Sequence, residues 1–278
     1  MGSVKENLGG HRANHALQAD FFSWEDTRAG DFPYYQGAKR VPVWGWVVIL
    51  VGVALGLAAD FAGNSVVGAL PQAPALRIPI GILMILAVPG LPLLAVWVAA
   101  GSQIGLLFRR LRGKEWILIA VLALLSGLWS VVMNKLLGYL GQQSVGDAAV
   151  AKGSGALKSN LGTFVELPFL ILGEALFVVL PFLAVFALLN VGLKVARKPA
   201  IVTAALIACL AFGMYHFKAY DWHWAQMLVT IGLGQLIILF GYLKTKNILV
   251  TYLAHLLLDW AIVGLAIVVA LAGNASAA

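Results

Sequence analysis

Charged residues are scarce in this sequence. Only 11% of the residues are Asp, Glu, Lys or Arg, and 61% are hydrophobic, whereas a soluble domain carries about 25% charge. The apolar residues form blocks, each long enough to cross a bilayer core, which takes about 20 residues. The composition therefore excludes an ordinary soluble domain and predicts an all-α, polytopic transmembrane helical bundle.

Cysteine is almost absent as well. The single cysteine, Cys209, lies in an apolar block and has no second cysteine with which to form an intramolecular disulfide. Its neighbours resemble neither a thiolate setting nor a metal-ligand setting. We therefore expect Cys209 to be packed as a small buried residue.

The first 40 residues lack the short apolar core of a cleaved signal peptide. They are polar and of mixed charge. Aromatic residues stand among the charges over residues 21–40, a pattern typical of a membrane surface. The start of the chain is therefore expected to be a polar tail that ends in an interfacial segment.

Seven apolar segments follow the tail, at residues 43–62, 78–100, 116–140, 161–193, 200–217, 225–243 and 248–271. The fourth is over-long, so it should either tilt or break into two pieces, which would give an eighth helix. Pro89 and Pro92 are expected to kink the second segment. Pro168 and Pro181 are expected to do the same to the fourth.

Lysine and arginine are distributed unequally between the two ends of these segments. Fourteen lie in the N-terminal tail and in the second, fourth and sixth connections, and five lie on the other side. The positive-inside rule then predicts a multi-pass protein of the cell membrane with a cytoplasmic N-terminus and an external C-terminus. The net charge of +7 reflects this topology, and we expect no nucleic-acid partner. The basic run at 105–114 is either a contact for anionic membrane lipids or an ordinary cytoplasmic loop.

Ionisable residues inside apolar segments are costly and tend to mark function. The candidates are Asp60, Glu166, Glu174, His216, His255 and Asp259. Asp60 and Glu166 lie near predicted helix ends, where each could simply reach the interface. His255 and Asp259 are four residues apart, which places both on one face of a helix.

The deeper carboxylates and imidazoles suit two kinds of chemistry. One is the activation of a water for hydrolysis, with or without a metal. The other is the carriage of protons or ions, as in a transporter. Against a transporter, no paired broken helices occur at corresponding positions of two halves.

Three stretches, GEALFVVLPF, FGMYH and GYLKTKNILVTYLAHLLLDW, resemble the CAAX protease and bacteriocin-processing family, also called CPBP or Abi. Its members are multi-pass intramembrane endopeptidases with Glu-Glu-x-x-x-Arg, Phe-x-x-x-His and His-x-x-x-Asn/Asp motifs. Phe212 and His216 match the second motif. His255 and Asp259 match the third in its Asp variant. The resemblance covers residues 161–271.

The first motif departs from the family pattern, because Glu174 stands without a second glutamate. In the register we prefer, Glu174 takes the first, catalytic place, Ala175 the second, and Val179 replaces the arginine. In the other register Gly173 occupies the catalytic place, Glu174 the second, and Val178 replaces the arginine. In the preferred register the second glutamate and the arginine of the motif are both replaced. If these two form a buried ion pair, losing both leaves no unpaired charge.

The resemblance implies a role for each matched residue. Glu174 and His216 would activate a water for attack on a peptide carbonyl, and His255 and Asp259 would stabilise the oxyanion. An ionised Asp259 cannot donate a hydrogen bond but a protonated one can; alternatively it stays ionised and orients His255, or it binds a metal. No cofactor is required, and a divalent metal, if used, would be held by these four residues.

The substrate implied by the resemblance is a membrane-tethered protein or peptide. The chain would divide into a tail, N-terminal membrane helices, a CPBP-like catalytic core and a short end, at residues 1–42, 43–160, 161–272 and 273–278. The altered first motif keeps a second interpretation open, a catalytically altered relative that acts as a bacteriocin-immunity or partner-binding membrane protein. A small transporter is a third.

The predicted topology places two residues of the candidate site at different depths in the membrane. His216 lies near the outer end of the fifth segment, and His255 lies in the inner half of the seventh. A rise of about 1.5 Å per residue would then separate them by about 15 Å along the membrane normal. A single site therefore requires the fifth helix to be longer, tilted or shifted in register.

Overall fold

The computed structural model describes residues 31–37, 40–142, 144–146, 150–151 and 155–275. The helices are α1 Val43–Ala69, α2 Pro74–Ala100, α3 Gly113–Tyr139, α4 Ala156–Ala187, α5 Arg197–Tyr215, α6 Gly234–Thr245 and α7 Ile248–Ala275. Three shorter pieces extend them. A 3₁₀ turn, Gly101–Leu107, continues α2; a π-helical turn, Leu188–Gly192, continues α4; and a π-helical segment, Gln226–Leu233, leads into α6.

Seven of these helical stretches are long and apolar enough to cross a membrane, and the described residues contain no strand. The predicted all-α transmembrane bundle is thereby confirmed. Large apolar side chains are exposed on its outer surface, among them Leu124, Ile117 and Leu265 at 72%, 67% and 65%. Such a surface is stable against lipid and unfavourable in water.

The fourth apolar segment forms one helix and does not break into two. Pro168 and Pro181 lie inside α4 without ending it, and with its π-helical turn the span runs over Ala156–Gly192. Of the two alternatives, the break that would give an eighth membrane helix therefore does not occur here. Helix α4 lies at the centre of the bundle, since it contacts α1, α2, α5, α6 and α7. This position carries Glu174 into the interior.

The end of the tail packs against the protein instead of lying at its surface. Phe32, Tyr34 and Tyr35 are buried in the main apolar cluster, and Phe32 makes edge contacts with two phenylalanine rings of α4. Arg197, the first residue of α5, forms a 2.7 Å ion pair with Asp31 and donates a 2.8 Å hydrogen bond to the Tyr35 hydroxyl. The described aromatic residues of the predicted interfacial segment therefore pack on protein, and residues 21–30, 38 and 39 of that segment lie outside the described residues.

The pKa values of both Asp31 and Tyr35, the two partners of Arg197, are shifted in the folded protein. Burial disfavours the Asp31 carboxylate, but hydrogen bonds from Tyr35, Arg197 and the backbone of Phe32 outweigh burial and lower its pKa. Burial, assisted by the hydrogen bond to Asp31, raises the pKa of Tyr35 to about 12. The folded state therefore favours ionised Asp31 beside a neutral tyrosine.

Replacing Asp31 by asparagine should lower the free energy of unfolding by about 0.5–1 kcal/mol at pH 7, because both side chains of the pair are about one third exposed and screened by solvent. Because the pKa of Asp31 is lower in the folded state than its ordinary value of 3.8, the ion pair stabilises the folded protein at pH values above 3.8. This stabilisation is lost as the pH falls from 3.8 through the lowered pKa. Thermal unfolding in detergent should show a gap between wild type and Asp31→Asn that narrows at pH 3. Asp221→Asn, at an exposed position, is the control, and a gap independent of pH would contradict the assignment.

Candidate active site

A cavity of about 590 Å³ lies among the helices, lined by residues from α1, α3, α4, α5, α6 and α7. Glu174 reaches it from α4, His216 from the end of α5, and His255 and Asp259 from α7. The structure thus brings all four predicted site residues to one space. Their catalytic roles remain predictions.

His255 stands between two carboxylates. Its Nδ1 atom lies 3.7 Å from Glu174 Oε2, and its Nε2 atom lies 3.7 Å from Asp259 Oδ2, one helical turn further along α7. Both distances are too long for a direct hydrogen bond and short enough for one water to contact both groups. Nδ1 is buried and has no hydrogen-bond partner among the described residues, so it is a donor or acceptor aimed at Glu174.

The two carboxylates remain accessible to water from the cavity. The side chains of Glu174 and Asp259 are 16% and 25% exposed, and that of His255 is 12% exposed. These fractions are larger than those of the surrounding apolar core, where most side chains are fully buried. A water molecule can therefore reach the groups that would activate it.

His216 is oriented by its own motif. Its Nδ1 atom lies 2.9 Å from the carbonyl oxygen of Phe212, and a carbonyl oxygen can only accept, so Nδ1 carries the proton and Nε2 is the atom able to take one. The Phe212 ring packs 4.6 Å from the His216 ring and 6.0 Å from the His255 ring. The four-residue spacing of the second motif thus supplies both the carbonyl and the ring that hold the imidazole.

The same contacts show that His216 and His255 are not at the widely different depths that the predicted topology implies. His216 follows Tyr215, the last residue of α5, and the ring that carries its motif contacts His255 on α7. The separation of about 15 Å expected from upright helices does not occur. Side chains of the second and third motifs therefore lie at the same level of the bundle.

The structure favours one register of the altered first motif. A Cβ atom on Gly173 would lie 2.5 Å from Cγ1 of Val88 on α2, so that position faces a neighbouring helix, whereas Glu174 faces the cavity. Ala175 and Val179 are fully buried in the apolar cluster. Position 174 is therefore the one that can place a carboxylate at the site, and the missing glutamate and arginine have apolar replacements.

Two further polar residues contribute to the cavity, and the sequence analysis missed their role. Asp60 does not simply reach the interface, because it lines the cavity and accepts a short hydrogen bond from the Tyr215 hydroxyl. Tyr215 directly precedes His216 and its ring packs on it at 4.9 Å. Glu166, by contrast, is exposed on α4 and lies outside the cavity wall.

Two glutamines of the sixth span were also missed. Gln226 exchanges two hydrogen bonds with the backbone of Val145, at 3.0 and 2.9 Å. Gln235 lines the cavity, is only 4% exposed, and its Nε2 atom has no hydrogen-bond partner among the described residues. The sequence signal is two uncharged amides in an otherwise apolar run, which a search for ionisable residues does not detect.

The arrangement of the side chains of the site bears on whether they could serve as metal ligands. Among the described residues, no group of three or more His, Cys, Asp or Glu side chains is arranged to hold a metal ion. A divalent metal held by Glu174, His216, His255 and Asp259 stays an untested prediction.

The helices and the cavity define a multi-pass membrane protein with a polar site inside the bundle. Residues 182–261 match the sequence model of the family described as type II CAAX prenyl endopeptidase Rce1-like. The resemblance to the CPBP family is thereby confirmed for this part of the chain. The match contains His216, His255 and Asp259, and it leaves Glu174 outside. Searches of curated proteins and of solved structures found no match.

Proposed function

We propose that the protein is an intramembrane endopeptidase that hydrolyses a peptide bond in a membrane-associated protein or peptide. The observation that carries this proposal is the placement of Glu174, His216, His255 and Asp259 around one cavity inside the bundle. The family match supports the same reaction class. The water-accessible carboxylate beside an imidazole is a pairing that suits hydrolysis.

In the proposed reaction, Glu174 and His216 hold a water between them and remove its proton as its oxygen attacks the peptide carbonyl carbon. The carbonyl oxygen becomes an oxyanion, which an N–H of His255 and a protonated Asp259 stabilise. The tetrahedral intermediate then collapses with cleavage of the carbon–nitrogen bond. The proton taken from water passes to the departing amine, so the acid–base residues return to their starting state.

The proposal is tested by proteomics of membrane peptides in cells that contain either the wild-type protein or Glu174→Gln. Neo-N-termini in membrane proteins or peptides should accumulate only with the wild type. Glu166→Gln is the matched control, because it makes the same change at an exposed position on the same helix. Identical peptide sets for wild type and Glu174→Gln would refute catalysis by this site.

A second candidate function rests on the altered first motif. Ala175 and Val179 stand, buried, where the family has a glutamate and an arginine, so the chain could be a relative that binds a partner or confers immunity without cleavage. Under this alternative, Glu174→Gln and His255→Ala would both retain full biological activity.

Substitutions of Asp259 test whether its charge or its hydrogen bonding matters. We expect Asp259→Asn to keep activity within about tenfold of wild type, because asparagine can donate to an oxyanion. Asp259→Leu should lose about 10²–10³-fold, as when one oxyanion donor is removed. Rates of reporter cleavage in proteoliposomes decide the matter. If the asparagine variant is as inactive as the leucine variant, the negative charge is required, and a chelator titration should follow.

A further inference from the structure

The cavity lies towards one end of the bundle. Val145 and Gly146 of the connection between α3 and α4 line it, and so do Lys218, Ala219 and Tyr220 of the connection between α5 and α6. Because each helix crosses the bundle once, both connections are on the same side. No described residue of the opposite connections lines the cavity.

The opposite end of the bundle is closed by apolar packing. Beyond Glu174, helix α4 continues towards that end with Leu176, Leu180 and Leu183, all fully buried. The buried aromatic rings of the tail and of α4 lie further along in the same cluster. Interiors packed at this density contain few spaces larger than a water molecule. Buried apolar side chains therefore separate the site from that end.

Charge assigns the two ends to the two sides of the membrane. Ten of the described lysines and arginines lie in the tail or near the connections at the closed end, and four lie at the cavity end, namely Arg77, Lys135, Lys158 and Lys218. Short loops rich in Lys and Arg remain in the cytoplasm. The closed end is thus the cytoplasmic one under this rule.

We infer that the site receives its substrate from the non-cytoplasmic face, so that the peptide bond it cuts lies in a membrane-attached segment of an exported chain. This inference rests on the proposed endopeptidase function. Under this inference, cytoplasmic proteins that carry a lipid-modified tail are not substrates. The two ends of α5 offer a direct test, because one flanks the cavity and the other lies at the closed end.

The first arm of the test measures sidedness without any need for activity. The only native cysteine, Cys209, is fully buried, and Cys209→Ala gives a cysteine-free background. Ala219→Cys then marks the cavity end of α5, and Ala196→Cys marks its other end, with the same chemical change at both. In right-side-out membrane vesicles, a membrane-impermeant maleimide should label Ala219→Cys at once and Ala196→Cys only after permeabilisation. The reverse pattern would overturn the inference.

The second arm places the same cleavable segment in two membrane-anchored reporters, one with the segment outside and one with it in the cytoplasm. Cleavage should be at least tenfold faster for the outside reporter and should vanish in Glu174→Gln. Glu174-dependent cleavage of the cytoplasmic reporter alone would refute the sidedness while preserving the proposed function. If Ala219→Cys labels from outside but neither reporter nor any other outside segment is cut, the endopeptidase function fails and the substrate inference fails with it.

Discussion

Replacing Glu174 by glutamine is expected to lower kcat for peptide cleavage by about 10²–10⁴-fold, the usual contribution of a general base. The amide has nearly the same shape as the carboxylate but cannot accept a proton from water. The side chain faces the cavity, so the substitution should leave the packing of α4 unchanged. The variant should bind substrate with a similar KM, because the lost interaction belongs to the transition state.

The measurement uses purified protein in lipid nanodiscs with a membrane-tethered, quenched reporter peptide chosen from the proteomic substrates. Glu166→Gln should retain wild-type kcat, and the thermal unfolding of both variants should match the wild type. Combining Glu174→Gln with His216→Ala should cost little more than either change alone, because residues that act on one water are not additive. A Glu174→Gln variant with kcat within twofold of wild type would remove Glu174 from the mechanism.

Much of the bundle could be predicted from hydropathy, because a bilayer fixes the length of an apolar helix. The seven spans are present, and Cys209 is buried as expected. The continuity of the fourth segment was harder to predict, since proline weakens a helix in isolation. In α4 the contacts with neighbouring helices hold the chain helical through Pro168 and Pro181. Local sequence does not contain this tertiary support.

The candidate site also has a part that the sequence predicts and a part that only the tertiary structure reveals. His255 and Asp259 could be paired from their spacing alone, because helical geometry places residues four apart on one face. The contact between Asp60 and Tyr215 spans 155 positions of sequence, and no periodicity predicts it. The choice of register at Glu174 likewise depended on where α2 packs, which becomes visible only at Val88 and Gly173.

The second large effect is expected from Gly213→Ala, which changes the second residue of the Phe-x-x-x-His motif. An added Cβ atom would lie 2.4 Å from the carbonyl oxygen of Met227 and 2.9 Å from Cα of Gly232. Both are backbone atoms of the π-helical segment, so neither can rotate away and α5 must shift as a whole. Since His216 lies only three residues further on, the shift moves the imidazole relative to His255. A displacement of about 1 Å at a catalytic group can cost about 10²-fold in rate.

Gly162→Ala is the matched control, because Gly162 lies inside α4 and an added Cβ atom would meet nothing within 4 Å. It should leave kcat unchanged and stabilise the protein by about 0.5–1 kcal/mol, the ordinary gain of alanine over glycine in a helix. Gly213→Ala should instead lower both kcat and the temperature of thermal unfolding. If it behaves like Gly162→Ala in both measurements, then α5 does not pack on the π-helical segment as described, and the position of His216 at the cavity must be revised with it.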